Sequence, residues 1–310
     1  MRWLGVALFL FAGCLCAGDE PGVVWRAQDP YALQGFREDP ELIQAMVERL
    51  VCGVSGKTEP EAAWRTFFSS QDKVLILVAG GSPKMAAVHP SVVDAVVAGV
   101  VSAGVPRKRI VLSTGASRKA DFSKETPFIS PVPGRVIFGD LEFKGQRDQM
   151  SQASHWSKVF APDVTKIVNV AAFRTVSGVG IGGALFNATI PHIDNWRRFV
   201  GPPVFGDPYI PQLYADPRLS GKVVLHFMDG LIAQYAGGPE REPNYAWDHT
   251  TLYASRDPVA LDTVALREID AWRKLAKLPE LGREAGHVAI AGVMGLGRAE
   301  MTQIQVRDVR

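Results

Sequence analysis

Apolar and polar residues follow two periods along the chain, and together they predict strands that alternate with helices. Residues 73–79 form an apolar run of strand length, and residues 91–103 carry valines at helical spacing. A second short apolar run, residues 109–113, follows Gly104 and Pro106, which are typical of a helix end. Because a strand, a helix and a strand in this order form a βαβ unit, the pattern predicts parallel pairing of the two strands.

Two short motifs predict where other helices begin. Asp39 precedes a proline and an apolar helical pattern over residues 40–51, and Asp257 precedes Pro258. An Asp side chain accepts backbone N–H groups and Pro fits the first helical position, so both motifs predict an N-cap followed by a helix. Residues 253–256, just before the second motif, are predicted to form a loop.

Three further segments, residues 166–171, 222–228 and 302–306, have the length and residue pattern of strands. The second segment is followed by an Asp-Gly pair at 229–230. Such a pair is typical of a tight turn, so the strand is predicted to end there. A strand or hairpin is also predicted at 135–143.

The order of these elements predicts an α/β fold with a mixed, mainly parallel sheet flanked by helices and interrupted by irregular Pro/Gly-rich insertions. One such insertion is residues 201–221, which carry five prolines and are predicted to lie on the surface. We find no internal repeat and no linker composition. Residues 19–310 are therefore predicted to form a single domain, with a division into two lobes as the alternative.

The first 18 residues have the pattern of a secretory signal peptide. Arg2 supplies a positive charge, residues 3–15 are apolar, and the small residues Ala17 and Gly18 precede two acidic residues. An apolar run of about 13 residues is shorter than the ~20 that a membrane-spanning helix needs. We therefore predict an exported protein, periplasmic or secreted, without an integral membrane span in its mature form. A lipid anchor at Cys14 is the less favoured alternative.

Cysteine content and charge narrow the classes of partner. The chain has three cysteines and a formal net charge of +2. Cleavage of the signal peptide would remove Cys14 and Cys16, and Cys52 alone cannot hold an iron–sulfur cluster or close a disulfide within the chain. The nearly balanced charge does not predict a basic surface, so no nucleic-acid partner is expected.

Two polar residues stand where strands are predicted to end. His89 opens the helix that follows residues 73–79, and Asp229 follows residues 222–228. Because α/β proteins bind ligands at the carboxyl edge of the sheet, both residues are candidates for acid–base catalysis and for binding a divalent metal. His226, which alternates with apolar residues in its strand, is interpreted as a hydrogen-bonded core histidine.

Asp257 and Asp262 form a second pair of acidic residues. The role of N-cap accounts for Asp257 by itself, and a ligand-binding role is the alternative. Asp262 lies one turn plus one residue along the predicted helix. It is therefore expected to face the same direction as Pro258 and to approach the candidate site, where paired carboxylates would suit a divalent cation or acid–base work.

A glycine cluster, Gly178–Gly183, matches the glycine spacing of a dinucleotide site, and Asp194 lies within reach of the expected acidic position. In that motif the strand leads directly into the first glycine, whereas residues 173–177 here separate the predicted strand from Gly178. Plain turn geometry is the preferred interpretation. Gly180, Gly182 and Gly183 are kept as candidates for close backbone contact with a phosphate or carboxylate.

Several motifs of the chain together form a recognisable family pattern. They are Val223–Leu231, Gly237–Pro239, Leu252–Asp262, His89-Pro90, Lys166–Val170, Gly183–Leu185 with Asn187, and Gly295–Gly297. With these motifs the chain resembles an uncharacterised family, the domain of unknown function 362 (DUF362), over most of residues 74–306. The resemblance implies an α/β fold and a distant similarity to the nickel-dependent lactate racemase group, which would favour a small-molecule site between two α/β lobes.

The chain departs from the family pattern in two short motifs. Many members carry Lys-x-His after the strand at 166–171, where this chain has Arg174-Thr175-Val176. Many also carry a lysine just before the asparagine, where this chain has Phe186. Valine cannot bind a metal and phenylalanine cannot form an imine. Some members also carry iron–sulfur domains, and their cysteines are absent. The polar residues that the resemblance leaves as candidates are His89, Arg174, Asn187, Asp229 and Asp257.

Three hypotheses for the function follow. The first is an exported protein that binds a small anionic or metal-linked ligand, as an enzyme or otherwise; an arginine such as Arg174 suits a carboxylate. The second is a non-catalytic binding or scaffold protein with a degenerate active site. The third is an oxidoreductase with a dinucleotide at the glycine cluster.

Overall fold

A computed structural model describes residues 20–35, 37–80, 88–115, 122–129, 153–194, 196–238 and 242–309, with only the backbone described at 122–129 and 153. The predicted signal peptide with Cys14 and the predicted strand at 135–143 lie outside these residues. None of the described helices is long and apolar enough to cross a membrane.

Strands and helices alternate along the described chain. The strands are β1 (Gly22–Gln28), β2 (Leu33–Gln34), β3 (Arg37–Glu38), β4 (Val74–Val78), β5 (Ile110–Ser113), β6 (Phe122–Ile129), β7 (Ala153–Ser157), β8 (Lys166–Val176), β9 (Gly180–Ile181), β10 (Val223–Gln234), β11 (Ala246–Ser255) and β12 (Ile304–Asp308). The α-helices are α1 (Pro40–Ser55), α2 (Pro60–Arg65), α3 (Pro90–Ser102), α4 (Ala184–Thr189), α5 (Tyr209–Tyr214), α6 (Pro258–Leu275) and α7 (Gly286–Val293).

The main sheet has the strand order β12-β1-β11-β10-β8-β4-β5, and β9 pairs with β8. Strands β5, β4, β8 and β10 are parallel to one another. Strand β11 is antiparallel to both β10 and β1, and β12 is parallel to β1. The predicted α/β fold with a mixed, mainly parallel sheet is confirmed, and so is the parallel βαβ unit of β4, α3 and β5.

Helices cover both faces of the sheet, which explains the apolar strands in its centre. One face packs on α1, α2 and α3, with Met46, Trp64 and Val96 in the core. The other packs on α4 to α7, with Leu185 and Leu213 in the core. All five residues of β4 are buried. A parallel strand between two helical layers needs apolar side chains on both sides, which is why it reads as a continuous run.

The predicted helix starts are confirmed. Asp39 accepts hydrogen bonds from the backbone N–H groups of Glu41 and Leu42 and caps α1. Asp257 accepts one from Ala260 and caps α6. In both helices a proline follows the cap, where the missing N–H removes no helical hydrogen bond.

The predicted strand end at 229–230 is wrong, because β10 continues through both residues to Gln234. Gly230 pairs with Thr251 of β11, and a Cβ on Gly230 would come within 2.9 Å of the Thr251 carbonyl oxygen. The strand register shifts just after Gly230. The glycine therefore permits close strand contact at an irregularity of the ladder rather than a turn.

Two predicted irregular segments are also wrong. Residues 201–221 contain α5, whose Ile210 and Leu213 are fully buried. Pro208 stands before this helix and Pro211 in its first turn, where they break no helical hydrogen bond. Residues 253–255 belong to β11 rather than to a loop, and the last strand is displaced to 304–308.

Candidate functional site

His89 and Asp229 come together at the carboxyl edge of the parallel strands. Oδ2 of Asp229 lies 2.8 Å from Nδ1 of His89 and accepts the backbone N–H of the same residue at 2.6 Å. Oδ1 of Asp229 accepts the N–H of Leu231 at 2.9 Å. The Asp229 side chain is buried and the His89 side chain retains 15% exposure. The carboxylate thus holds the histidine by both its backbone and its ring.

These contacts determine which ring nitrogen of His89 carries the proton. An ionised carboxylate can only accept hydrogen bonds, so Nδ1 of His89 must donate to Asp229. In the neutral ring, Nε2 is then the basic nitrogen. A histidine in this state can take up a proton from a ligand or bind a metal through Nε2.

The strand register explains why Asp229 faces α3. Asp229 lies on the same face of β10 as Phe227 and Leu231, and these two residues belong to the core beneath α1 to α3. His89 immediately precedes α3 and occupies its N-cap position. Helix α3 is the next named element after β4 in the chain, and the hydrogen bonds of Asp229 to His89 place its start at the carboxyl edge of the sheet.

Arg174 lies on the same face of the sheet. Asp229 pairs with Ala172 of β8, and Arg174 is two residues farther along that strand, about 7 Å. Its side chain is 5% exposed, and one guanidinium nitrogen donates to the carbonyl of Gly80 at 3.4 Å. Burial lowers the pKa of Arg174 to about 10, which leaves it charged at neutral pH. The carboxyl edge of the sheet therefore carries two functional groups, the imidazole of His89, which Asp229 holds in place, and the buried guanidinium of Arg174.

The glycine cluster forms a β-hairpin. Strand β8 continues to Val176, so residues 173–176 do not separate the strand from the cluster, and that objection to the dinucleotide fingerprint is wrong. Gly178 and Gly180 have positive φ angles, and β9 then pairs antiparallel with β8. Gly182 donates its N–H to the carbonyl of Arg174 at 2.9 Å. The hairpin thereby borders the strand that carries Arg174.

The start of α4, where a phosphate would bind, already has a partner within the chain. Asp262 accepts the N–H groups of Ala184 at 2.5 Å and Leu185 at 2.9 Å. It is completely buried, and burial raises its pKa to about 7. A Cβ on Gly183 would overlap its carboxylate. Asp262 therefore holds the glycine cluster and does not form the cation pair with Asp257 expected from the helix spacing.

Asn187 belongs to a buried hydrogen-bond network beneath the edge. It donates to Oδ1 of Asn169 at 2.7 Å, and Asn169 lies 3.0 Å from Nδ1 of His226. The other ring nitrogen of His226 lies 3.0 Å from the hydroxyl of Tyr214. The interpretation of His226 as a hydrogen-bonded core residue is confirmed, and burial lowers its pKa to about 3.

The structure does not bring Asp257 to Asp229. Leu252 of β11 pairs with Asp229, and the chain runs away from that edge before it reaches Asp257. Besides capping α6, Asp257 accepts the N–H of Arg298 at 2.9 Å, and burial raises its pKa. It therefore joins the start of α6 to the segment before β12.

Metal-binding groups are sparse at the edge. Within the described ranges, no group of three or more His, Cys, Asp or Glu residues is arranged to hold a metal ion. His89 and Asp229 supply two such groups, and both Asp229 oxygens already accept hydrogen bonds. The divalent metal stays a prediction that requires ligands beyond this pair.

A second His–Asp pair was not predicted. Nδ1 of His155 lies 2.7 Å from Oδ2 of Asp194, and Oδ1 accepts the backbone N–H of His155 at 2.5 Å. Asp194, the candidate acidic residue of the dinucleotide fingerprint, is thus bound to a histidine. The two residues are 39 positions apart, and no local motif in the sequence indicates their pairing.

Comparison with known proteins gives one match. The model of the family described as "Domain of unknown function (DUF362)" matches residues 73–267, more than half of the chain. The match includes His89, Arg174, Asp229 and Asp257. No curated protein and no solved structure matches the chain.

Proposed function

The chain belongs to the DUF362 family, and from this premise we propose that it is an exported protein that binds a small carboxylate-bearing ligand at His89, Asp229 and Arg174. His89 acts on the bound ligand as a general base through Nε2. Asp229 positions the imidazole, and Arg174 supplies the positive charge for the carboxylate.

The main support for this proposal is the pair of contacts that Asp229 makes with the backbone and the ring of His89. One carboxylate oxygen accepts both the backbone N–H and the ring Nδ1–H of a residue 140 positions away. If Asp229 served only to bind the backbone N–H of His89 at the start of α3, contact with the ring would not be needed. Binding of the ring in addition selects one tautomer and one orientation, which is what a base near neutral pH requires.

Arg174 supports an anionic ligand for an electrostatic reason. A guanidinium that is 5% exposed has lost most of its hydration, so an anion that reaches it interacts more strongly than it would in water. A planar guanidinium also fits a carboxylate with two parallel hydrogen bonds. Abstraction of a proton next to that carboxylate is the reaction class that these groups favour.

The scaffold alternative has a specific observation behind it. Val176 and Phe186 stand where many family members have the histidine and the lysine. Val176 is buried against the glycine hairpin, where a Cβ on Gly182 would come within 2.6 Å of it. Phe186 packs against the apolar core. Apolar side chains have filled both places, so a reaction at this site would have to use the remaining polar groups, such as His89 and Asp229.

Replacement of His89 with Gln tests the ligand site. We expect a panel of short 2-hydroxy and 2-keto carboxylates to include one that stabilises the wild-type protein by about 3 kcal/mol at a hundredfold excess over its Kd. His89→Gln should remove that gain, because the basic nitrogen and its orientation are lost. Thermal unfolding with and without each carboxylate measures the gain.

His155→Gln is the matched control, because it also removes a histidine from a His–Asp pair. It should retain the ligand-linked gain of the wild type. If no carboxylate and no divalent cation stabilises the wild type, or if His89→Gln keeps the whole gain, the scaffold alternative replaces the proposal.

The proposed export rests on the leader and is tested separately. We expect expression of the full chain in a secreting host to yield mature protein that begins after Ala17 or Gly18. Intact mass of the purified protein measures the cleavage site. Recovery of the uncleaved chain, or of a lipid-modified Cys14, would contradict cleavage at this position.

A further inference from the structure

A second cleft lies away from His89 and Asp229, beside the start of α6. It has a volume of about 740 Å³ and is lined by three arginines, Arg256, Arg298 and Arg307. They belong to three separate segments, namely the turn after β11, the segment before β12, and β12 itself. Small-molecule sites typically enclose about 300–1,000 Å³, so the cleft has room for such a ligand.

Specific contacts hold two of these arginines at the cleft. Arg298 donates its backbone N–H to Asp257 and its Nε to the carbonyl of Glu20 at 3.3 Å. The guanidinium of Arg307 lies 5.5 Å from the ring centre of Trp25. Trp25 packs so closely on α1 that a Cβ on Gly53 would lie 2.7 Å from its ring. The indole therefore forms a fixed support for Arg307.

The negative groups of the cleft do not cancel this charge. Glu20 and Asp257 also line it. Both oxygens of Asp257 accept backbone N–H groups, from Ala260 and Arg298, and its charge also attracts the Arg298 guanidinium. The positive end of α6 and the negative end of α1, both at the cleft, oppose each other with about half a charge each. With Arg298 balanced by Asp257, the guanidinium groups of Arg256 and Arg307 face the single exposed carboxylate of Glu20.

We propose that this cleft binds a small ligand with two or more negative charges on oxygen atoms, a phosphate ester or a di- or tricarboxylate. Guanidinium groups from several directions can each donate two hydrogen bonds to such groups. Arg298 and Arg307 lie outside residues 73–267, the part matched by the family. The site therefore combines the family domain with flanking segments of this chain, and it is independent of the function proposed for His89.

Titration calorimetry of the mature protein with inorganic phosphate and with citrate, at low ionic strength, tests the proposal. We expect at least one of the two to bind, and the tighter one identifies the anionic group. The double variant Arg256→Gln, Arg307→Gln should raise the Kd at least about tenfold. Arg267→Gln, which removes an exposed arginine from α6, should leave the Kd unchanged.

Asp229→Asn separates this site from the one at the carboxyl edge. Phosphate or citrate binding at the arginine cleft should survive this replacement, whereas citrate binding that is lost in Asp229→Asn and kept in the double variant belongs to the carboxyl edge. Absence of binding by both anions would overturn the proposal. An equal loss in Arg267→Gln and in the double variant would also overturn it, since the binding would then follow net charge alone.

Discussion

Acidification from about pH 6.5 to pH 4 is expected to remove most of the stability of the fold. His192, His226 and His287 are fully or almost fully buried, and burial lowers their pKa values to about 4, 3 and 4. The unfolded chain has ordinary histidines with a pKa near 6.5. In this window the unfolded state therefore binds up to three more protons than the folded state, and the free energy of unfolding decreases as pH falls.

Asp262 acts in the opposite direction. Burial raises its pKa to about 7, so between pH 7 and its ordinary range the folded state binds one more proton than the unfolded state. Acidification thereby favours folding through Asp262, and also through Asp257 and Asp270, whose pKa values burial raises as well. For the three histidines and Asp262 alone, the net difference is about two protons. Because each proton changes the free energy of unfolding by about 1.36 kcal/mol per pH unit, this amounts to about 3 kcal/mol per pH unit. Over two pH units this approaches the whole stability of a typical domain.

Urea unfolding of the mature protein at several pH values measures this dependence. His287→Leu is the informative variant, because neither ring nitrogen of His287 has a hydrogen-bond partner in the described part of the chain. Its replacement leaves no polar group unsatisfied and should reduce the slope by about one proton. A free energy of unfolding that stays constant from pH 7 to pH 4.5 would contradict the assignment of buried neutral histidines.

Gly183→Ala is expected to destabilise the protein by about 3 kcal/mol or more, since an added methyl group meets a packed and fully buried carboxylate. The new Cβ would overlap Oδ1 of Asp262 and lie 2.6 Å from its Cγ. Asp262 cannot move aside without losing its hydrogen bonds to Ala184 and Leu185. Chemical unfolding of the variant at pH 7 gives the loss.

Gly286→Ala is the matched control. An added Cβ there would meet only Oδ2 of Asp207, at 3.7 Å, and the φ of −56° suits alanine. It should change the free energy of unfolding by less than about 1 kcal/mol. In the Asp262→Ala background the clash is absent, so Gly183→Ala should cost much less there than in the wild type. Equal losses in Gly183→Ala and Gly286→Ala would refute the packing role of Gly183.

Local signals in the sequence predict the parts of the fold that depend on neighbouring residues. Asp39 and Asp257 cap helices because an Asp carboxylate reaches the amides two or three residues ahead. The βαβ unit of β4, α3 and β5 is predictable for the same reason, since its periodicities and its helix end are contained within about 40 residues, near the usual size of such a unit.

Residues 229–230 show where local signals fail. An Asp-Gly pair favours a turn in isolation, but here β11 pairs with both residues and the strand continues. The strand continues because Gly230 pairs with Thr251, which belongs to another strand. The sequence around residues 229–230 therefore does not indicate that the strand continues. Strand β8 was predicted too short for a related reason, because pairing with β9 and β10 extends it to Val176.

The candidate site was predictable in its residues and not in its geometry. His89 and Asp229 are both recognisable as polar residues near strand ends. Their contact requires β10 and β4 to lie one strand apart, with β8 between them, which no local pattern indicates. Asp262 was expected to approach Asp257, whereas its hydrogen bonds go to α4, 77 and 78 positions away.

The most direct test of the ligand site is a long-range ¹H–¹⁵N correlation spectrum of the protein with labelled histidines, with the His89 signals assigned by their loss in His89→Gln. We predict that Nδ1 of His89 carries the proton that is donated to Asp229, and that the Nε2 resonance shifts on titration with the stabilising carboxylate. Asp229→Asn should alter the tautomer and remove the shift. A proton on Nε2 in the wild type, or an Nε2 resonance that responds to no carboxylate, would contradict the proposed role of His89.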